Sequence, residues 1–410
     1  MALNSLIVTN LAAMGQAAAF KGESEFIETI GTRMSKEFGM PNMNVGQTIN
    51  EVLPPRPNPW IEGRVQDPSA TVQEQVSVTV IQRNTARVIS DAELQLDYRQ
   101  FFEDVVAPDV NGGVREAEQN SLKTLLYYPS MSNLASVGVD PTNSRIWQQT
   151  RAMYSLMLGP KKDIFGIMDP ITEAALADNE SKLYRPNETV DIAALEGRVS
   201  RLAGVGDMFD SVNLPTFTNG DGKKVIAVNG ANQTGTSLIC DGASSGTTYK
   251  KGQQFYFSDT GVGNALDPEK HNKLPFKQIF TLSQDCTISG AAVTLVFGPS
   301  IIIDGSLQDQ LAAPADNAVV TFIGDPSVTY KQHFLYNGGQ QGAIQFVGLQ
   351  LPTFDGRGGV AKMSKYRDVS LRSVYFTKYD EGQNYLRYDQ MNGIYTRRWQ
   401  HVWRFWGEAV

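Results

Sequence analysis

The spacing of hydrophobic and polar residues changes twice along this chain. Up to residue 217, apolar residues recur three or four positions apart in several segments, which is typical of amphipathic helices. From Thr218 the composition shifts to Gly, Asn, Ser and Thr with short β-type runs, and longer apolar patterning returns only near Tyr330. The pattern predicts a domain that is interrupted by a second, all-β domain and then resumes.

Residues 163–217 read as half of an α/β domain. The short apolar run Ile164–Met168 predicts a buried strand, and the Asp-Pro pair at 169–170 predicts the start of a helix. Apolar residues three or four apart predict a second helix over 189–204, where a glycine ends it. An extended segment is expected at 212–217.

The first ninety residues predict two helices and a protruding hairpin. Helix-type spacing covers residues 3–38, and two glycines divide it. Strand patterns at 45–52 and 76–80 flank a proline-rich stretch around Trp60. Because proline fixes φ and removes backbone donors, this stretch cannot become a helix. The tip has few residues that can bury one another, so it must lean on another surface or be mobile.

The middle and the end of the chain add helices and strands to the interrupted domain. Residues 91–128 have a helical pattern, but Pro108 and the Asn-Gly-Gly triplet at 111–113 should kink or break that helix. A further helix is predicted over 145–158, where Gly-Pro ends it. The strands expected after residue 330 cover 343–351, 369–377, 383–388 and 394–406.

The segment 218–326 is predicted to fold as a small β-barrel. Turn signals such as Asn-Gly and Asp-Gly separate its short apolar runs. Closing such strands into a barrel removes exposed edges. The candidate strands are 225–228, 237–240, 254–258, 278–282, 293–297 and 319–323.

Size and charge exclude some classes of function. A chain of 410 residues and 45.0 kDa exceeds the roughly 250–300 residues that one hydrophobic core serves, so two or more domains are expected. The net charge is −7, and a chain without Lys and Arg clusters is a poor generic nucleic-acid binder. No basic residue precedes Lys21 and no apolar run reaches eighteen residues, so neither a secretory signal nor a transmembrane helix is expected.

The sequence contains no convincing catalytic motif. The glycines and serines at 242–246 match the letters of a GxSxG nucleophile elbow, but no amphipathic helix follows, so a turn is predicted. The Gly-rich stretch 356–359 lacks the Lys-Ser/Thr of a phosphate-binding loop and is interpreted as a flexible loop. A calcium loop at 219–222 would have one carboxylate and no glutamate at the required spacing, so it too is interpreted as a turn. We expect no enzyme activity and no catalytic residue.

Neither a metal ion nor another cofactor is expected. His271, His333 and His401 are far apart in the sequence and form no HxxxH or HxH pattern. Cys240 and Cys286 belong to no CxxC pair. One disulfide between them is possible in principle, but two reduced, small apolar side chains are the favoured interpretation.

The segment 397–406 combines arginines with aromatic residues and allows two interpretations. Arginines beside stacked aromatic rings could hold single-stranded nucleic acid. The favoured alternative is a buried strand, with Trp399, Trp403 and Phe405 on one face.

Taken in order, these elements resemble the major capsid (coat) proteins of short-tailed, double-stranded DNA bacteriophages, the Lederbergvirus-type coat family. The likeness spans nearly the whole chain and depends on the order of its segments rather than on one motif. The segments that carry it are VGQTI at 45–49, LPPR at 53–56, DIFG at 163–166, RLAGVGDMF at 201–209 with Leu-Pro at 214–215, AAPAD at 312–316, KQHF at 331–334 and VSLR at 369–372.

This resemblance implies an α+β fold, the tailed-phage major capsid (Johnson) fold with an N-arm, an extended loop, peripheral and axial domains, and an inserted all-β barrel domain. The implied boundaries are 1–40 for the N-terminal helical arm, 41–90 for the extended β-hairpin loop and adjoining strands, 91–143 for the peripheral domain with its spine helix, 144–217 for the first half of the axial domain, 218–326 for the inserted barrel and 327–410 for the second half of the axial/peripheral domain.

The resemblance also implies a structural role in the virion. Subunits would form the pentamers and hexamers of an icosahedral head assembled in the bacterial cytoplasm. The implied partners are copies of the chain, a scaffolding protein, a portal complex and packaged double-stranded DNA, without a membrane. No lysine occurs between Lys36 and Lys123, so no covalent mesh through a hairpin lysine is expected. The predicted inter-subunit contact residues are Pro54, Pro55, Arg56, Pro57, Trp60 and Arg64.

Two other functions stay open on the sequence alone. One is a different phage structural protein, a decoration or tail component with a β-rich surface domain. The other is a carbohydrate-active enzyme, which would need paired carboxylates in a cleft that the sequence does not locate.

Overall fold

A computed structural model describes residues 8–10, 12–15, 24–34, 48–53, 74–90, 93, 97–181, 201–202, 204–258, 263–290, 292–356, 359–367, 369–378 and 383–410. The helices are α1 (Glu25–Thr29), α2 (Tyr98–Phe101), α3 (Ala107–Leu125), α4 (Ser144–Leu156) and α5 (Pro170–Ser181), with a π-helical turn at Phe102–Val106 and 3-10 turns at Leu134–Ser136 and Trp399–His401.

Strands dominate the remainder of the described chain. They are β1 (Gly31–Met34), β2 (Thr48–Val52), β3 (Gln75–Thr79), β4 (Ile81–Ile89), β5 (Met131–Ser132), β6 (Ile164–Met168), β7 (Arg201–Leu202), β8 (Gly206–Asp210), β9 (Thr216–Thr218), β10 (Val225–Val228), β11 (Gly235–Asp241), β12 (Thr248–Tyr249), β13 (Gln254–Phe257), β14 (Asn264–Leu266), β15 (Lys273–Lys277), β16 (Phe280–Leu282), β17 (Cys286–Thr287), β18 (Val293–Ile301), β19 (Val319–Phe322), β20 (Thr329–Asn337), β21 (Ile344–Gly348), β22 (Asp355–Gly356), β23 (Gly359–Tyr366), β24 (Val369–Lys378), β25 (Gln383–Thr396) and β26 (Val402–Ala409).

Two mixed sheets and one closed barrel organise these strands. Sheet 1 has the order β1-β21-β25-β24-β23-β22, and β4 pairs with β25. Sheet 2 has the order β5-β26-β20-β6-β8-β7, and β9 pairs with β20. The barrel has the order β10-β11-β18-β16-β13-β19. The mixed α+β class, rich in strands, agrees with the fold class expected from the sequence.

The barrel confirms the strands predicted for residues 225–323. Its six strands overlap the six candidate strands, and β10 has the predicted bounds. The alternating pattern places large apolar side chains inside the barrel, which form one cluster. Phe255 lies at its centre, with its ring centroid 5.2–6.2 Å from those of Phe257, Phe280, Phe297 and Phe322.

The barrel strands lie, in the sequence, between two segments that pair with each other. Thr218 at the end of β9 is opposite Thr329 at the start of β20, and their hydroxyl oxygens are 2.8 Å apart. The chain therefore leaves sheet 2, completes the barrel and returns to sheet 2 at the neighbouring position.

Two buried side chains join the barrel to sheet 2. Gln254 of β13 donates a hydrogen bond to the Ser130 carbonyl and accepts one from Trp406 Nε1, both at 3.0 Å. Arg404 of β26 is fully buried and donates to the carbonyl of Gly252 at 3.1 Å. Because breaking these bonds would leave buried donors unpaired, they hold the barrel and sheet 2 in one orientation.

The helix predicted to break at its glycines is continuous there. Helix α3 runs through Pro108 and residues 111–113, so the expected break is wrong. The irregularity lies one turn earlier, where the Ala107 N–H bonds to the Phe102 carbonyl across a π-helical turn. This wider turn places Pro108 in the first turn of α3, where a missing N–H costs little.

The second predicted N-terminal helix is short, because residues 31–34 form a strand. Helix α1 ends at Thr29, and β1 follows, pairing in parallel with β21 from Gly31 opposite Gln345. The helical periodicity that extended to Met34 is therefore misleading. Pairing with a strand more than 300 residues away supplies backbone hydrogen bonds that override the local preference.

Two further expectations around sheet 2 require correction. Leu202 lies in the short strand β7, which pairs with β8, and not in a helix that ends at Gly204; residues 182–200 lie outside the described part. The last strand is not continuous over 394–406, because β25 ends at Thr396 and a 3-10 turn precedes β26. Of the extended segment predicted at 212–217, only the last two residues belong to a strand, at the start of β9.

The strand-helix pair after residue 163 is as predicted. β6 has the predicted bounds, and α5 begins at Pro170 after Asp169, whose carboxylate accepts a hydrogen bond from the Thr172 hydroxyl. Helix α4 covers most of the predicted 145–158. Its Trp147 is fully buried and packs against Phe405 of β26, with ring centroids 4.4 Å apart.

Candidate functional site

The base of the predicted hairpin is present in the structure. Strands β2 and β3 pair antiparallel from Thr48 opposite Thr79 to Val52 opposite Gln75. The Leu53 N–H donates to the Glu74 carbonyl at 2.8 Å and closes this ladder. The six predicted contact residues, Pro54, Pro55, Arg56, Pro57, Trp60 and Arg64, all lie outside the described residues.

The hairpin base is anchored on sheet 1 by a small apolar cluster. Ile49 and Val78, on the paired strands, pack with Val347 of β21 and Tyr395 of β25. A salt bridge of 2.8 Å between Arg33 Nη1 and Glu51 Oε2 adds a second link, from β1 to β2. The described base of the hairpin is therefore fixed, because both of its strands are held by sheet 1.

Apolar side chains are exposed beside this base. Val52, Ile81 and Val88 expose 49%, 45% and 47% of their surface. Among the described strands, the nine-residue β4 pairs only with β25, so its other edge has no partner there. Exposed edges with apolar residues are typical sites of association with another chain.

The possible nucleophile elbow is a turn, as predicted. Gly242 and Gly246 have φ angles of +75° and +82°, which a turn requires and glycine adopts easily. Ser244 occupies the nucleophile position of the GxSxG letters, and its carbonyl accepts hydrogen bonds from the Thr247 N–H at 3.4 Å and the Thr247 hydroxyl at 2.8 Å. These local bonds across three residues are those of a turn.

The Gly-rich stretch 356–359 does not form a phosphate-binding loop in the described residues. Gly356 ends β22 and Gly359 begins β23, and the two glycines are paired opposite each other. The stretch therefore lies between two hydrogen-bonded strands and does not precede a helix. Residues 357 and 358 lie outside the described part, so the flexible loop expected there stays a prediction.

One cluster of charged residues was not foreseen. His333 of β20 is fully buried, with Nε2 at 3.4 Å from Asp140 Oδ1 and Nδ1 at 3.7 Å from Asp169 Oδ1. Lys331 Nζ lies 3.2 Å from Asp140 and 3.8 Å from Asp169. His333 is therefore a buried, structural histidine, and its neighbours are too distant in the sequence to suggest a motif.

The cluster is held together by charge. Burial raises the pKa of Asp140, but hydrogen bonds from His333 and the Glu408 N–H, with the positive charge of Lys331, outweigh it and leave this pKa well below its usual range. Two carboxylates and an imidazole could supply ligands to a divalent cation. The Lys331 ammonium lies within 4 Å of both carboxylates and offsets part of their charge, so these residues form an ion-pair network.

The arginine- and aromatic-rich segment supports the interpretation as a buried strand. Arg404 has no exposed surface, and its guanidinium lies 4.8 Å from the ring centroid of Trp406. Burial without a carboxylate partner lowers the pKa of Arg404 to about 9. Trp403 and Phe405 are fully buried as well, so these side chains are not accessible to a nucleic acid.

Both cysteines are free thiols in the barrel, in agreement with the favoured interpretation. Burial, with smaller effects of Asp241 and Cys286, raises the pKa of Cys240 to about 12. Thiols held in the protonated form are poor nucleophiles and poor metal ligands. They therefore act as small apolar residues of the barrel core.

No helix among the described residues has the length and apolar composition needed to cross a membrane. The sequence matches no protein-family model and no curated protein. Solved structures that are similar in chain trace include the capsid of the cyanophage P-SCSP1u, with 10% sequence identity and a TM-score of 0.43 over 95% of this chain and 89% of that chain.

Two further similar structures come from other sources. The capsid of Ralstonia phage GP4 has 8% identity and a TM-score of 0.42, over 92% of this chain and 87% of that chain. A virus-like particle from Pyrococcus furiosus has 8% identity and a TM-score of 0.39, over 97% and 99% of the two chains. These scores describe a weak similarity of chain trace.

Proposed function

We propose that this chain is a structural shell protein, the major capsid protein of a tailed bacteriophage, and that it has no catalytic role. Copies would form pentamers and hexamers, which tile an icosahedral head around double-stranded DNA. A scaffolding protein and a portal complex would be the further partners of assembly in the host cytoplasm.

The observation that carries this proposal is the return of the chain to sheet 2 beside the point where it left. The pair Thr218 and Thr329 brackets all six barrel strands. An α/β domain with an inserted barrel between these positions is what the resemblance to the Lederbergvirus-type coat family implies. The domain boundaries given above, including 218–326 for the insertion, are part of this proposal.

The hairpin supplies the second support for a shell. Its base is fixed on sheet 1, while Val52 at its end is 49% exposed. The proline-rich stretch that follows would lie on a neighbouring subunit, and its stiffness would lower the entropy cost of docking. The proposed contact residues are those predicted from the sequence, from Pro54 to Arg64.

Electron microscopy of the purified chain, expressed with and without its scaffolding partner, tests this function. Closed isometric particles of uniform diameter are expected in the presence of the scaffold. Rings, tubes or decoration of particles made by another protein would favour the alternative, a tail or decoration component. Persistent monomers under both conditions would contradict a shell protein.

A further inference from the structure

A basic stretch of this acidic chain forms one side of an open cleft. Between Asp140 and Asp163 the sequence has the basic residues Arg145, Arg151, Lys161 and Lys162 and no acidic residue. The chain as a whole has 36 basic and 43 acidic residues, so this segment departs from its average.

Three of these basic side chains meet in space. Arg151 lies on α4, and Lys161 and Lys162 follow in the loop between α4 and β6. All three line a cleft with a volume of about 620 Å³, which is also lined by residues 204–206. The loop and the helix thus place their positive charges on one concave surface.

The two lysines are available to a ligand. Both are exposed, and neither side chain forms an ion pair with any residue that the structure describes. Arg151 is held more firmly, because its guanidinium lies 4.9 Å from the ring centroid of Tyr154 and donates to Ser155 Oγ at 2.6 Å. One oriented guanidinium beside two free ammonium groups suits a row of phosphates.

We propose that the cleft formed by Arg151, Lys161 and Lys162 is a contact site for the phosphate backbone of double-stranded DNA. The choice of partner rests on the proposed function, which places duplex DNA inside the shell. The face of the subunit that carries α4 and the cleft is then turned toward the interior of the shell.

The charges that line the cleft predict weak binding of DNA. Asp163 and Asp207 also line the cleft, so its net positive charge is small. Backbone contacts of this kind carry no sequence preference and lose affinity as salt rises, by a slope of about 0.9 per neutralised phosphate. The cleft would be occupied where DNA is concentrated, while the acidic remainder of the chain repels it.

Fluorescence anisotropy of a labelled 20-base-pair DNA duplex with the full-length, unassembled chain tests this site. The double variant K161E/K162E should weaken binding about tenfold at low salt and reduce the salt slope by about two, because two phosphate contacts are lost. The matched control is K250E/K251E, since these lysines are also adjacent, exposed and outside the cleft. It changes the net charge equally and should alter affinity less than twofold.

Three results would overturn the site. These are no binding of duplex DNA by the unaltered chain at low salt, an equal loss in both double variants, and tighter binding of a polyglutamate peptide than of DNA. If K161E/K162E does not fold, as judged by circular dichroism, K161Q/K162Q replaces it with the same expected direction. Shell formation, followed separately by electron microscopy, distinguishes failure of this site from failure of the proposed function.

Discussion

The barrel and the hairpin region, defined as β2, β3 and β4, bury their apolar residues in different ways. The barrel closes on itself, and its apolar side chains form one large cluster around Phe255. The hairpin region has only the small cluster around Ile49 and Val78, and it exposes Val52, Ile81 and Val88. The barrel is thus complete within one chain, whereas the hairpin region is expected to be completed by another.

The largest effect on the monomer should come from the barrel core. Phe255→Ala removes a fully buried ring that contacts four other phenylalanines, and it should lower the free energy of unfolding by about 3–5 kcal/mol. Urea unfolding followed by circular dichroism measures this loss.

Val52→Ala is the matched change in the hairpin region. Because this side chain is half exposed, the monomer should lose no more than about 0.5 kcal/mol, while assembly should weaken. The comparison breaks down if Val52→Ala destabilises the monomer as much as Phe255→Ala.

The junction of the barrel with sheet 2 should be nearly as sensitive. Gln254→Ala would leave Trp406 Nε1 and the Ser130 hydroxyl without a buried partner, which costs about 2–4 kcal/mol. No tryptophan occurs in residues 218–326, so tryptophan fluorescence reports on the remainder of the chain and, through Trp406, on its contact with Gln254. In this variant we expect the unfolding transition followed by tryptophan fluorescence to have a different midpoint from the one followed by circular dichroism. Gln82→Ala, at an exposed position of β4, should leave them coincident.

Acid should weaken sheet 2 before the barrel. Burial, assisted by the charge of Arg398, lowers the pKa of His401 from 6.5 to about 4. As the pH falls below 6.5 the unfolded chain takes up the proton first, so stability present at pH 7 is lost progressively down to about pH 4. The expected loss at pH 5 is about 2 kcal/mol.

The readout for His401 is tryptophan fluorescence during urea unfolding at pH 7 and pH 5. His401→Gln should remove most of the difference between the two midpoints. An undiminished difference in that variant would show that His401 does not carry the acid sensitivity between pH 7 and pH 5.

An effect of opposite sign is expected in α3. A Cβ at Gly112 would meet no atom within 4 Å, so Gly112→Ala should stabilise the helix by up to about 1 kcal/mol. Gly206→Ala is the contrast, since its Cβ would lie 2.2 Å from the Ile164 carbonyl oxygen. Thermal melting tests whether Gly112→Ala raises and Gly206→Ala lowers the melting temperature. Destabilisation by Gly112→Ala would contradict a helix that is regular at this position.

The features that the sequence predicted well are those decided by neighbouring residues. The barrel strands have alternating apolar residues and Gly-containing turns, so their pattern is local. β6 and the start of α5 were likewise predictable, because a short apolar run, Asp169 and Pro170 are adjacent.

The failures arose where distant parts of the chain decide the structure. β1 forms because β21 offers it a partner, and no pattern around Met34 indicates this. The π-helical turn before Pro108 kept α3 continuous although proline and glycine locally disfavour a helix. The cluster of Asp140, Asp169 and His333 depends on how sheet 2 assembles. The proposed contact residues from Pro54 to Arg64 remain predictions.

Sedimentation velocity of the chain with and without residues 54–68, each mixed with the scaffolding partner, tests most directly whether the hairpin is completed by another copy. We expect the unaltered chain to form large, uniform particles. The shortened chain should remain a folded monomer with an unchanged urea midpoint. Particles of normal size from the shortened chain would contradict the account, because the hairpin would then have no part in holding subunits together.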